Sequence, residues 1–279
     1  MSYSNFKAKV WAKEINRELE RVCVFAADTN QSYSGQIKSV GDTVRIQGVG
    51  KPKITMFGND EKIILDNPED IEDTSTSLVA DKVATFNYGV DDIDKAQGVG
   101  GVLAVLNTEA SEECANVIDK AIADLSLDKQ ALKLSKDATE VTNGNALTLL
   151  DEALEKLYEN DVNPSTTITA TISPKYYTRF KQAYIKADTD NSEMLKNGRV
   201  AKYGNAIVRM SNNVAKDSQG NEYIQVKTQR AIALAKSEAH TEPYRVEKGF
   251  TDAVKGFVIF GVKIVRPKEM VNIKVKYTA

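Results

Sequence analysis

Hydrophobic and polar positions fall into three regimes along this chain. From residue 6 to 26, Phe6, Val10, Trp11, Ile15, Leu19 and Val22 recur at helical spacing, with Lys7, Lys9, Lys13, Glu14, Arg17, Glu18 and Glu20 on the other faces. This predicts an amphipathic helix, and it fits equally a helix on its own core or an arm docked on a neighbour. Asp28-Thr29-Asn30 ends it. Residues 31–88 then read as β-structure, with strands predicted at 43–46, 53–56, 62–64 and 82–86 between Gly-, Pro- and Asp-rich breaks. Large apolar side chains are sparse there and helix periodicity is absent. Strands of this kind remove too little apolar area from water to stand alone. The segment is therefore expected to gain order by lying on something else, a partner chain first.

The third regime begins at Val90. Asp91-Asp92-Ile93-Asp94 opens a stretch containing Gly98, Gly100 and Gly101, and a helix is predicted from about 109 to 125. Its stripe is Cys114, Ile118, Ala121, Ile122 and Leu125. The glycines are expected to divide or kink the helical region, each costing about 1 kcal/mol relative to Ala. After a turn at Asn143-Gly144, a helix over 145–159 faces Leu147, Leu150, Ala153, Leu154 and Leu157 inward. Residues 166–172 alternate as a strand does. Ser173-Pro174 supplies a cap and a first helical residue for a helix carrying Tyr176, Tyr177, Phe180 and Tyr184. A polar loop over 186–199 precedes strands at 206–210, 223–226 and 231–234, and three more follow at 257–260, 262–265 and 271–275. The fold class is α+β, without regular βαβ alternation.

Composition narrows the function. With 279 residues, 42% hydrophobic and 27% charged, the chain can form one large domain or two moderate ones. The 37 Lys and Arg against 39 Asp and Glu leave a net charge of −2, which gives no basic footprint for nucleic acid or anionic membrane. Contact with packaged nucleic acid on one local face stays compatible with that. Cys23 and Cys114 lack any metal or CxxC spacing and read as two buried thiols in a reducing compartment. No apolar signal region opens the sequence and no run approaches a membrane span. A cytoplasmic site of synthesis is expected.

The motifs that could carry chemistry fail on their details. Gly48-Val49-Gly50-Lys51 has Arg45 where a phosphate loop needs Gly, and Pro52 where it needs Ser or Thr, so a β-turn is expected. Gly98-Val99-Gly100-Gly101 lacks the preceding buried strand of a dinucleotide site. Asp91, Asp92 and Asp94 are too closely spaced for a calcium loop and suit a helix start electrostatically. His240 is the one histidine, which makes His-based catalysis or metal binding hard to build. Glu238 and Glu242 beside it read as solvated charges. No catalytic residue, cofactor or metal ligand is expected, and the chain is not expected to be an enzyme.

Several pieces, in order, carry a resemblance. They are residues 11–19 (Trp11-Ala12-Lys13-Glu14-Ile15-Asn16-Arg17-Glu18-Leu19), residues 41–46 from Gly41-Asp42-Thr43, and Asp73-Thr74-Ser75-Thr76. Phe86-Asn87-Tyr88 with residues 90–94, and the closing stretch 252–267, complete them. Together they resemble the major capsid protein of tailed bacteriophages, the Hong Kong 97-type shell fold also used by encapsulins, over nearly the whole chain. The resemblance implies an N-terminal arm at 1–30 and an extended loop at 31–88 lying across the adjacent subunit. It further implies a peripheral domain with a spine helix at 89–135 and 236–265, and an axial domain at 136–235 and 266–279. Its partners would be copies of itself in pentamers and hexamers, a portal, and packaged double-stranded DNA met by non-specific contact. No membrane is implied. Because the arm helix starts within ten residues of Met1, a separate scaffolding protein is expected rather than a removed N-terminal one. The location implied is the virion capsid, assembled in the bacterial host cytoplasm. Trp11, Ile15, Leu19, Arg45, Lys51, Asp91, Asp92 and Asp94 are the candidate subunit-interface residues. Lys51, Lys53 and Lys62 read as solvated lysines rather than crosslinking ones. An encapsulin-type container, or an α+β enzyme, are the alternatives.

Overall fold

The computed structural model describes residues 24–49, 54, 56, 73–91, 102–186, 202–247 and 251–277. A helical turn, Val24–Ala27, leads to the antiparallel pair β1 (Thr43–Val49) and β2 (Asp73–Val79), then β3 (Lys82–Asp91) and helix α1 (Val102–Asp124). Next come β4 (Leu132–Lys133), β5 (Thr139–Glu140), helix α2 (Ala146–Glu159), β6 (Ile168–Ile172) and helix α3 (Pro174–Lys186). Strands β7 (Lys202–Tyr203), β8 (Ala206–Met210), β9 (Glu222–Thr228), β10 (Ile232–Lys236), β11 (His240–Arg245), β12 (Thr251–Ile264) and β13 (Met270–Lys276) follow.

Seven of these strands form one sheet in the order β4-β13-β9-β6-β8-β7, with β5 also on β13. Helices α2 and α3 cover one face. In α2 the buried positions are Ala146, Leu149, Leu150, Ala153, Leu154 and Leu157, a stripe repeating every three or four residues as a helix requires. Leu147, expected inward, is only partly buried. The start of α3 is set by its sequence. The Tyr176 N–H donates to Ser173 Oγ at 3.2 Å, and Pro174 occupies the first position, where a backbone N–H has no helical partner. Tyr176 and Phe180 enter the core beneath, and the Tyr176 hydroxyl donates to the Ala146 carbonyl at 2.7 Å. The sheet residues on this face are aliphatic: Ile168, Ala170, Ile172, Val208, Ile224, Val226, Val271, Ile273 and Val275.

The opposite face is different. Strand alternation puts Gln225 and Lys227 of β9, Thr169 and Thr171 of β6, Arg209 of β8 and Asn272 of β13 there. All but Arg209 are buried. Strands β6 and β9 are thus buried on both faces, with all seven residues of β9 buried.

The second sheet joins β10 and β11 along one edge of β12 and β3 along the other. Helix α1 packs on it through Cys114, Ala115, Ile118, Ile122 and Ala123, against Val258, Phe260, Ile232 and Leu234. It starts at Val102, seven residues before the predicted start, and the glycines expected to interrupt it precede it, outside the described residues. Residues 257–260 and 262–265, predicted as two strands, lie largely in the single strand β12. Gly256 and Gly261 permit its close approaches. A Cβ at Gly256 would collide with the Phe86 ring and the His240 carbonyl, and one at Gly261 with the Val79 carbonyl.

The largest correction concerns residues 31–88. Ile37, Val44, Ile46, Leu78 and Ala80 are buried against Ala233, Ala235 and Ile259 of the same chain. Strand β3 pairs with β12 over ten positions, from Lys82 opposite Phe260 to Asp91 opposite Thr251. The segment has few apolar residues of its own, but its root uses those of β10 and β12. Ile54 and Met56, by contrast, are 85% and 90% exposed. The predicted strands at 53–56 and 62–64 fall outside the continuously described residues.

The buried root predicts that Leu78→Ala destabilises the unassembled chain by about 2–5 kcal/mol, as expected for a fully buried leucine. Urea unfolding of the monomer measures it. A loss confined to the assembled state would show that the root is not part of the chain's own core.

Candidate functional site

Of the candidate interface residues, Arg45 lies in β1 opposite Ser77, exposed and alternating with the buried Val44 and Ile46. Asp91 is the last residue of β3, so it ends a strand rather than opening a helix. Gly48 and Val49 lie in β1, paired with Thr74 and Asp73, which removes them from the expected turn. Trp11, Ile15, Leu19, Lys51, Asp92 and Asp94 lie outside the described residues, as do Lys53, Lys62 and Cys23. Cys114 is a buried free thiol. His240 is exposed on β11 with its ring 5.2 Å from that of Phe257, and Glu242 pairs with Lys255 at 3.2 Å instead of standing free.

The densest polar site is one the sequence reading missed. It is the junction formed by residues 24–30 against the rest of the described fold. The Lys227 amine, with no exposed surface, donates to the Asp28 carbonyl at 2.9 Å. The Asp28 carboxylate lies 3.0 Å from Arg209 Nε as an ion pair. Asp119 of α1 accepts the Val24 N–H at 3.0 Å, and Asn30 exchanges backbone hydrogen bonds with Ile232 and Leu234 of β10. Four elements, β8, β9, β10 and α1, therefore grip the same seven residues. Burial raises the Asp28 carboxyl above its ordinary value, opposed by Arg209, Lys227 and the Thr169 hydroxyl. Burial pushes the Lys227 amine down to about 7, opposed by Asp28 and Asp119. A lysine alternating with Ile224 and Val226 gives the same sequence pattern as one facing solvent, so no local signal marked it.

Among the described residues, two of the clefts open to solvent bear on the site. A polar one of about 460 Å³ beside the same junction is lined by Thr29, Asn30, Gln31, Ser32, Gln229 and Arg230, with Ala27. These groups can hold a polar chain or an anion, but they include no carboxylate, imidazole or thiol. The other, about 290 Å³, runs along α2 past Glu152, Glu155 and Glu159, with Lys156 among them. Among the described residues, no three His, Cys, Asp or Glu gather as a metal site would require. No helix among them is long and apolar enough to cross a membrane.

No protein-family model and no curated protein matches the chain. Solved structures do match it. A chain of Mycobacterium phage Che8 superposes with a TM-score of 0.73 at 24% identity, covering 90% of each chain. The capsid structure of the Cyanophage P-SCSP1u gives 0.69 at 15% identity, covering 92% of this chain and 89% of that one. The virus-like particle of Pyrococcus furiosus gives 0.61 at 11% identity, covering 98% and 100%. The α+β fold is therefore the Hong Kong 97-type capsid fold that the sequence resembles, and it accounts for nearly the whole chain.

The junction makes stability depend on pH. With Lys227 held near 7 in the folded chain and near the ordinary 10.5 when unfolded, the unfolded state binds more protons between those values. Stability should therefore rise as pH increases from about 7 towards 10. Urea unfolding of the wild type against Lys227→Met checks this. Equal slopes with pH in the two proteins would overturn it.

Proposed function

We propose that the chain is a structural shell protein. It assembles into pentamers and hexamers that build an icosahedral shell around packaged phage DNA, without a catalytic step. The observation that carries this reading is the match of almost the full chain to almost the full length of a phage capsid chain. The architecture supports it. The β1–β2 pair has a buried root, and Ile54 and Met56, between its two strands in sequence, are exposed. Exposed apolar side chains on a projecting segment suit contact with another copy.

In this reading the four-stranded sheet with α1 corresponds to the peripheral domain, with α1 as the spine. The seven-stranded sheet with α2 and α3 corresponds to the axial domain. The arm, the candidate residues Trp11, Ile15 and Leu19, and Arg45 and Lys51 of the extended loop make contacts between subunits. A separate scaffolding protein and a portal complete assembly in the host cytoplasm. Each contact can be weak. An interface of millimolar strength is worth only about −4 kcal/mol, yet several per subunit favour closure while misplaced subunits still dissociate. A head-to-tail interface that closes into rings provides the geometry.

A second reading, an encapsulin-type container, is favoured by the match to the virus-like particle of Pyrococcus furiosus. Such a container would assemble alone around cargo, without portal or scaffold. Negative-stain microscopy of the purified protein, with and without a co-expressed scaffolding protein, tests both. Regular shells only with scaffold support the phage capsid. Uniform small shells without it support the container, and discrete globular particles in both cases would overturn the shell function.

Charge reversal at the exposed Arg45 should weaken assembly more at low salt than at high salt. Exposed pairs contribute about 0–1 kcal/mol and are screened by ions. Light scattering of Arg45→Glu across a salt series reads this, and an identical loss at every ionic strength would remove Arg45 from the charged contacts.

A further inference from the structure

One cross-strand row on the polar face of the seven-stranded sheet is not accounted for by the grip on residues 24–30. Asn272 of β13 lies opposite Gln225 of β9, and Gln225 lies opposite Thr171 of β6. Directly opposed residues share a face, so the three side chains are neighbours. All three are at most 1% exposed. The Gln225 amide donates to Ser126 Oγ at 3.1 Å, in the short turn that follows α1. Beyond that bond, Asn272 Oδ1 and Nδ2, Gln225 Oε1 and Thr171 Oγ1 have no hydrogen-bond partner in the protein.

Four unpartnered atoms in one sealed row are not a tolerable feature of a folded interior, because buried polar groups are almost always satisfied. They are also arranged to be satisfied together. The row offers acceptors at both amide oxygens and the hydroxyl, and donors at Nδ2 and the hydroxyl. A water molecule needs two to four polar partners of mixed kind, and this row supplies them. A cation would not suit it. The Asn272 amide is a donor, Arg209 stands next in the row opposite Thr171, and Lys227 lies one row away on the same face.

We propose that Asn272, Gln225 and Thr171 form an internal hydration site, in which ordered water cements the polar face of the sheet to the turn at the end of α1. The site lies between the sheet and the turn after α1, and it joins them through hydrogen bonds.

The test is an experimental structure of the full chain at a resolution that shows ordered solvent. The expected result is density within hydrogen-bonding distance of Asn272 Nδ2 and of Gln225 Oε1 or Thr171 Oγ1. Oxygen-17 relaxation should count fewer long-lived waters in Thr171→Val, a near-isosteric change, and in Asn272→Leu, than in the wild type. Thr171→Val carries the comparison if Asn272→Leu does not fold. An empty row with the Asn272 and Gln225 amides bonded directly to each other would overturn the proposal. Density that strengthens when rubidium replaces sodium would also overturn it, by identifying a cation.

Discussion

The constraint on which the rest depends is that the central strands β6, β9 and β13 of the seven-stranded sheet are buried on both faces while only one face is aliphatic. The aliphatic face is closed by α2 and α3 in the ordinary way, with area removed from water as the driving force. The other face must be covered too, and its buried polar side chains are Lys227, Gln225, Thr169, Thr171 and Asn272. Each of these costs about 1–3 kcal/mol if buried without a partner. Whatever covers that face must therefore bring hydrogen-bonding groups in register. The turn after α1 brings Ser126, and residues 24–30 bring the carbonyl and carboxylate of Asp28. The position of the N-terminal segment's root is in this way fixed by the polarity of a sheet almost two hundred residues later in the chain.

Elements whose pattern is local were legible in the sequence. The stripe of α2, the Ser173-Pro174 start of α3 and most strands of the second half stand close to where periodicity placed them. The α+β class and the shell-type fold were legible too. What was not legible depends on pairing at a distance. In Glu222–Thr228, Gln225 and Lys227 alternate with Ile224 and Val226, which describes a strand with one wet face. Only the arrival of Asp28 and Ser126 makes both faces dry. Strand β2 reads Asp-Thr-Ser-Thr-Ser before its two apolar residues and carries no strand signal of its own. Its register against β1, and Leu78 on the core of β10 and β12, give it order. Glycines misled for the same reason. Gly256 and Gly261 break a local pattern, yet they allow β12 to run beneath Phe86 and Val79.

Arg45 and Lys51, two of the candidate interface residues, belong to a segment expected to be unable to bury itself, and that segment divides in two. Its root is core, with Leu78 and Ala80 fully buried, and its described outer positions, Ile54 and Met56, stand in solvent. With the β1–β2 root folded on its own chain, the conformational entropy of that stretch, about 1–2 kcal/mol per residue, is lost when the chain folds.

The same logic applies at the N-terminal junction, with a different force. The β1–β2 root is fixed by apolar contact, which is indifferent to pH. The root of the N-terminal segment is fixed by Lys227, Arg209 and Asp119, whose strength depends on protonation and on exclusion of water. A polar anchor of this kind contributes less net stability than an apolar one would, because desolvating the charges offsets much of their attraction. It contributes direction instead. Hydrogen bonds to the Asp28 carbonyl and the Val24 N–H fix the path of the backbone, which hydrophobic contact alone does not do. For residues 24–30, that directional hold is what the buried lysine supplies.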